Sequence, residues 1–88
     1  MRLQGKTALI TGSGRNIGRS ISLILASMGA NVIINSKANF EAANETADEI
    51  RKLGAKALVV MGNIGSEKDV SRMIKEIQAN VDTVDIVI

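Results

Sequence analysis

Short, almost wholly apolar runs alternate along this chain with longer stretches in which apolar residues recur every three or four positions. The runs are Thr7–Thr11, Asn31–Ser36, Lys56–Met61 and Val84–Ile88, and their length and β-branched content predict strands. After the first run, Ile17, Ile21, Ile24, Leu25 and Met28 share one face of a helix, and Gly29 stands where a helix-ending glycine belongs. In the next stretch Phe40, Ala43, Ala47 and Ile50 form a second helical face. Glu41, Glu45, Glu49 and Lys52 lie opposite, and Gly54 closes the helix. Ser66 with Asp69 three residues later predicts a capped start for a third helix, which carries Val70, Met73, Ile74 and Ile77. The order is β-α-β-α-β-α-β. Strands apolar on both faces and joined by helices predict an α/β fold, a parallel sheet with helices on both sides.

Composition narrows the function classes. The chain has 88 residues, enough for one domain that buries roughly 60–65% of its unfolded surface. Its 45% hydrophobic content and mean hydropathy of +0.16 suit a packed unit. Eleven basic and nine acidic residues are interspersed, for a net charge of +2. No basic run makes a nucleic-acid patch, and Phe40 is the sole aromatic, so no base-stacking platform exists. Without Cys or His, the common metal ligand sets and any His-assisted nucleophile are excluded. Apolar runs of at most about five residues fall far short of the ~20 that span a bilayer. A strand begins so close to residue 1 that no signal peptide is expected, and the expected location is cytoplasmic.

The candidate chemistry lies between the first strand and the first helix, in Thr11-Gly12-Ser13-Gly14-Arg15-Asn16-Ile17-Gly18. A glycine-rich strand-to-helix turn offers backbone N–H groups and a helix N-terminus to a pyrophosphate. Gly12 permits a tight turn and Gly18 lets the helix lie close to the strand, while Ser13, Arg15 and Asn16 are candidate phosphate donors. The pattern G-x-G-x-x-G fits Gly12 and Gly14 but fails at Ile17. A P-loop would be one residue shorter between Gly12 and Gly18, and would have Lys where Arg19 stands. The spacing T-G-x-x-x-G-x-G matches Thr11, Gly12 and Gly18, with Asn16 in place of the middle glycine. Asn tolerates positive φ better than most residues. A role for Gly14 is left open.

That third spacing resembles the short-chain dehydrogenase/reductase family. So do K-T-A-L-I-T-G at Lys6–Gly12, N-I-G-R-S-I at Asn16–Ile21, E-A-A-N-E at Glu41–Glu45 and V-D-I-V-I at Val84–Ile88. The likeness runs over essentially the whole chain, and is closest to the 3-oxoacyl-[acyl-carrier-protein] reductase branch. It implies a Rossmann-type sheet of strand order 3-2-1-4 and a nicotinamide dinucleotide cofactor. It also places Gly12, Ser13, Arg15, Asn16, Ile17 and Gly18 around the pyrophosphate.

An acid at the end of the second strand of such folds selects NAD, and a basic group suits the 2′-phosphate of NADP. Here the strand ends Ile34-Asn35-Ser36-Lys37, and the first acid is Glu41 in the helix. By resemblance Ser36 occupies the place where NAD-preferring relatives carry Asp. Ser36, Lys37 and Arg15 together predict a preference for NADP(H) over NAD(H), the alternative being that Lys37 is a solvated loop charge. Asn63 and Ile64 follow the third strand, where the family places an Asp near the adenine. Asn63 either bonds adenine or serves the loop. Ser22, Ser27 and Asn44 are expected to be solvated helix positions.

The resemblance implies a catalytic Ser-Tyr-Lys group, but the chain contains no Tyr. No catalytic residue and no metal ligand is therefore assigned, and Lys52, Lys56, Lys68 and Lys75 are read as surface charges. Residues 1–88 are expected to be the amino-terminal, NADP(H)-binding half of a carbonyl reductase acting on 3-oxoacyl thioesters. The alternative is a naturally short, non-catalytic nucleotide-binding module. Full-length relatives are expected to be homotetramers, and this chain is expected to self-associate through an uncovered fourth strand.

Overall fold

The computed structural model describes residues 2–12 and 16–88, apart from the Asn16 side chain. Its elements are β1 (Thr7–Ile10), α1 (Asn16–Ser27), β2 (Asn31–Ser36), α2 (Phe40–Lys52), β3 (Ala57–Met61), α3 (Glu67–Asn80) and β4 (Ile86–Val87). The strands form one sheet in the order β3-β2-β1-β4, and every pairing is parallel. This is the α/β, Rossmann-type arrangement expected. Ala8 is paired with Val32 on one side and Ile86 on the other. No helix among the described residues is long and apolar enough to cross a membrane.

The sheet divides its side chains by the two-residue period of a strand. Ala8, Ile10, Val32 and Ile34 point to one face, where they are buried with Ala26 of α1 and Ala43, Ala47 and Ile50 of α2. Ile33 and Val60 point to the other, against Met73 and Ile77 of α3. Both faces are covered, which explains why the centre of β2, Val32, Ile33 and Ile34, is apolar at successive positions.

Helix ends follow local chemistry. Gly29 and Gly54 take φ of 98° and 92° after α1 and α2, a conformation that strains any residue with a Cβ. Asn39 caps α2, its side chain accepting from the Ala42 N–H at 3.0 Å. Ser66 caps α3, its Oγ accepting from the Asp69 N–H at 3.2 Å.

Several sequence expectations are corrected. Thr11 lies in a turn beyond β1, Lys56 precedes β3, and β4 is shorter than Val84–Ile88. Backbone pairing nevertheless runs past the ends of β4: Asp85 N–H donates to Thr7 C=O at 2.8 Å, and Thr11 N–H to Ile88 C=O at 3.0 Å. Helix α1 packs Ile21 and Leu25 of the expected stripe against the core, but not its other large apolar residues. Ile17 is 77% exposed and Ile24 59%, whereas Ser22 and Ala26 are buried. Close approach of a helix to a sheet favours small side chains at the contact, so volume overrides hydropathy there. Ser22 was expected in solvent, but its Oγ donates to the Gly18 C=O at 2.8 Å, which offsets the cost of burying a hydroxyl. Phe40 and Ile74 are likewise exposed, at the first turn and the outer flank of their helices.

Candidate functional site

From β1 the chain steps outward to β2 and β3, then returns to place β4 on the other side of β1. The strand order therefore reverses beside β1, and the carboxyl edge at such a reversal forms a crevice. Four groups of sequence-predicted residues follow this edge. Gly12 leaves β1, Ile17 and Gly18 open α1, Ser36 and Lys37 end β2, and Asn63 and Ile64 follow β3. Ser13, Arg15 and the Asn16 side chain lie outside the described residues.

Gly12 has φ of +64°, and a Cβ built on it would meet nothing within 4 Å among the described residues. Glycine is required there by conformation and not by crowding. Ile17 and Ile64 are exposed large apolar side chains on the two flanks of the edge.

At the end of β2, Ser36 is buried and Lys37 is exposed. The Ser36 Oγ donates weakly to the Asn39 C=O at 3.4 Å, and its C=O accepts from the Gly62 N–H at 2.9 Å. The Ser36 hydroxyl is thus drawn into the α2 entry, and the exposed Lys37 follows it directly in the chain. Glu41, the first acid after β2, is an exposed residue in the first turn of α2.

The loop after β3 is tied to α3. The Asn63 N–H donates to Asp69 Oδ2 at 2.9 Å, and Asn63 Oδ1 accepts from the Gly65 N–H at 2.9 Å. The acceptor of the Asn63 amide therefore serves the loop, which leaves its NH₂ as the group free to meet a ligand. Asp69 does not complete a reciprocal capping box. Its carboxylate holds Asn63 instead of the backbone of Ser66. Gly62 is packed tightly, since an added Cβ would lie 2.5 Å from Met73 Sδ.

Asn35 was missed at the sequence level. It is 3% exposed and follows Ile33 by two positions on the α3 face of β2. Its Nδ2 donates to the C=O groups of Val60 and Gly62, both at 3.1 Å. Its Oδ1 faces the Gly12 N–H at 3.5 Å. The available signal was a polar residue in an apolar strand, because a buried amide has to find partners.

Arg19, the residue after Gly18, is directed elsewhere. Its Nη2 lies 2.5 Å from both carboxylate oxygens of Glu49 on α2. A separate concavity of about 660 Å³ opens at the amino-terminal edge of the sheet, bordered by Lys6, Asn31, Lys56, Asp82 and Asp85. None of the predicted site residues lines it.

A family model described as short chain dehydrogenase matches residues 6–88. A hydroxynaphthalene reductase-like protein of Metarhizium acridum is 42% identical over 86 residues, which are 98% of this chain and 32% of that protein. Among solved structures, a hydroxysteroid dehydrogenase from Escherichia coli superposes with a TM-score of 0.89 at 38% identity, covering 98% of this chain and 36% of that one. A 7α-hydroxysteroid dehydrogenase complexed with NADH and 7-oxo glycochenodeoxycholic acid gives 0.90 at 38% identity, covering 98% and 33%. This chain thus spans about a third of the length of the relatives it matches.

Proposed function

This chain belongs to the short-chain dehydrogenase family, and on that premise we propose that residues 1–88 are the amino-terminal nucleotide-binding portion of an NADP(H)-dependent carbonyl reductase. The carrying observation is the end of β2. It offers the small, buried Ser36 and then the exposed Lys37, and the first carboxylate, Glu41, already belongs to α2. A 2′-phosphate meets a cation there and no acid repels it, whereas a ribose 2′-OH finds no carboxylate to accept its proton.

Gly12, Ser13, Arg15, Asn16, Ile17 and Gly18 hold the pyrophosphate in this reading. Ser36 and Lys37 hold the adenosine ribose, and Asn63 and Ile64 flank the adenine. The polar groups present fit such a ligand: the turn is open at Gly12, and Asn63 keeps a donor free of the loop. When bound, the nicotinamide supplies or accepts the hydride. This chain's residues bind and orient the nucleotide. The proton donor implied by the family resemblance is a Tyr, and none occurs in these 88 residues.

The relatives named above are a hydroxynaphthalene reductase-like protein and hydroxysteroid dehydrogenases. They favour a ketone–alcohol pair on a ring system for the whole protein, and none of them is named for an acyl thioester. We also propose that β4, an edge strand among the described residues, pairs with a second copy of this chain, because Val87 and Ile88 are exposed there.

The test is titration of the chain with NADPH and NADH, followed by nucleotide fluorescence. NADPH is expected to bind at least about tenfold tighter, a difference of about 1.4 kcal/mol. Equal affinities overturn the NADP assignment, and no binding of either overturns the nucleotide reading.

A further inference from the structure

Asn35 occupies a position where an apolar side chain would pack. Its neighbours on the α3 face of the sheet are Ile33, Val60 and Met73, all buried, and Met73 Sδ lies 3.9 Å from Asn35 Nδ2. A polar group in such a cluster costs desolvation unless its partners are supplied. Here they come from two other strand ends at once. The NH₂ is committed to two carbonyls of the β3 end, those of Val60 and Gly62, and the carbonyl oxygen faces the N–H of Gly12 after β1.

This pattern needs an amide. Two carbonyl oxygens require a donor on one side, and the Gly12 N–H requires an acceptor on the other. A carboxylate repels the carbonyls, and an aliphatic chain bonds neither edge. The amide orientation follows from the same chemistry, since the flipped form would set oxygen against oxygen.

We propose that Asn35 is a positioning residue for the nucleotide, clamping the glycine turn after β1 to the end of β3. It touches no ligand itself. Its effect is to set the spacing between the edge that meets the pyrophosphate and the edge that meets the adenine. This role rests on the nucleotide-binding reading above. The Gly12 N–H is turned toward Asn35 and is committed to the clamp.

The experiment compares two ligands in the unsubstituted chain and in Asn35→Leu. NADP⁺ spans both edges, while adenosine 2′-phosphate reaches only the ends of β2 and β3. In Asn35→Leu, NADP⁺ affinity is expected to fall about tenfold or more, and adenosine 2′-phosphate affinity to change by less than about twofold. Hydrogen exchange at the Gly12 N–H is expected to quicken without a general loss of protection. An equal fall for both ligands means that Asn35 merely supports the fold, and no change for either means that the clamp is irrelevant. Each result overturns the proposal. Absence of NADP⁺ binding in the unsubstituted chain overturns the nucleotide reading and this role together, and so is told apart from failure of the clamp alone. If Asn35→Leu does not fold, Asn35→Ser gives the same comparison, since a serine hydroxyl is too short to bridge both edges.

Discussion

Arg19 of α1 and Glu49 of α2 form an ion pair across the two helices that cover one face of the sheet, with Arg19 Nη2 2.5 Å from each carboxylate oxygen. The hydrogen bond from Arg19 is the main cause that holds the Glu49 carboxyl below its ordinary range; burial opposes it, and the charges of Arg19 and Lys52 add to it. The same bond and the Glu49 charge raise the Arg19 guanidinium. The pair therefore directs a guanidinium next to the glycine loop away from the crevice.

A carboxyl whose folded-state pKa is depressed contributes stability above its unfolded pKa, and that contribution is lost as pH falls through the lower, folded value. Glu49→Gln is thus expected to flatten the acid limb of the stability profile and leave its shape at alkaline pH unchanged. Both side chains are about 40% exposed, so added salt is expected to shrink the difference between the two proteins. Urea unfolding as a function of pH, at low and high salt, checks both points.

Gly62 is required by space. Its added Cβ would stand 2.5 Å from Met73 Sδ and 2.9 Å from Arg72 Nη2. Gly62→Ala is expected to cost about 1–3 kcal/mol of stability through overpacking. Adding Met73→Ala clears the sulfur, so the double variant is expected to lose less than the sum of the two single losses. Urea midpoints and slopes measure all three.

Ser36 ends β2 where the ribose is expected. Ser36→Asp places a carboxylate there, and is expected to reduce NADPH affinity by about tenfold or more while raising that for NADH. Paired titrations of the same preparation read the ratio. An unchanged ratio would remove Ser36 from the cofactor-selecting residues.

Val87 lies in the edge strand β4 and is 67% exposed. Val87→Lys places a charge on that edge, a common device against edge-to-edge pairing. Light scattering over a concentration series is expected to show the unsubstituted chain self-associating and the Val87→Lys variant remaining monomeric. If the unsubstituted chain is monomeric throughout, the edge is not an interface.

Much of the candidate site was legible because it depends on local spacing. Gly12 shares the turn after β1 with Thr11, and its positive φ belongs to that turn. Ser36 and Lys37 could be placed because a run that ends in polar residues marks a strand's carboxyl end. Asn63 follows β3 as the run pattern implies, but the commitment of its oxygen to Gly65 and of its N–H to Asp69 depends on how the loop folds back on α3. Asn35 and Ser22 were not legible. Each bonds to or packs against groups whose closeness is set by the third dimension, and neither carries a sequence spacing of its own.

Alternating apolar periodicity by itself determined the order of elements and the parallel, doubly covered sheet, because strands buried on both faces permit few other arrangements. The loop spacing from Gly12 to Gly18, taken with that element order and the segments at Lys6–Gly12, Asn16–Ile21, Glu41–Glu45 and Val84–Ile88, pointed to the family. Tertiary structure decided where the buried stripe of α1 is centred: Ile21 and Leu25 pack as the periodicity implies, but contact between helix and sheet selects Ser22 and Ala26 for size over Ile17 and Ile24 for hydropathy. It also decided that a buried amide at Asn35 joins two strand ends. Its bonds to Gly12, Val60 and Gly62 span more than twenty residues of sequence, and they exist only once β1, β2 and β3 lie side by side.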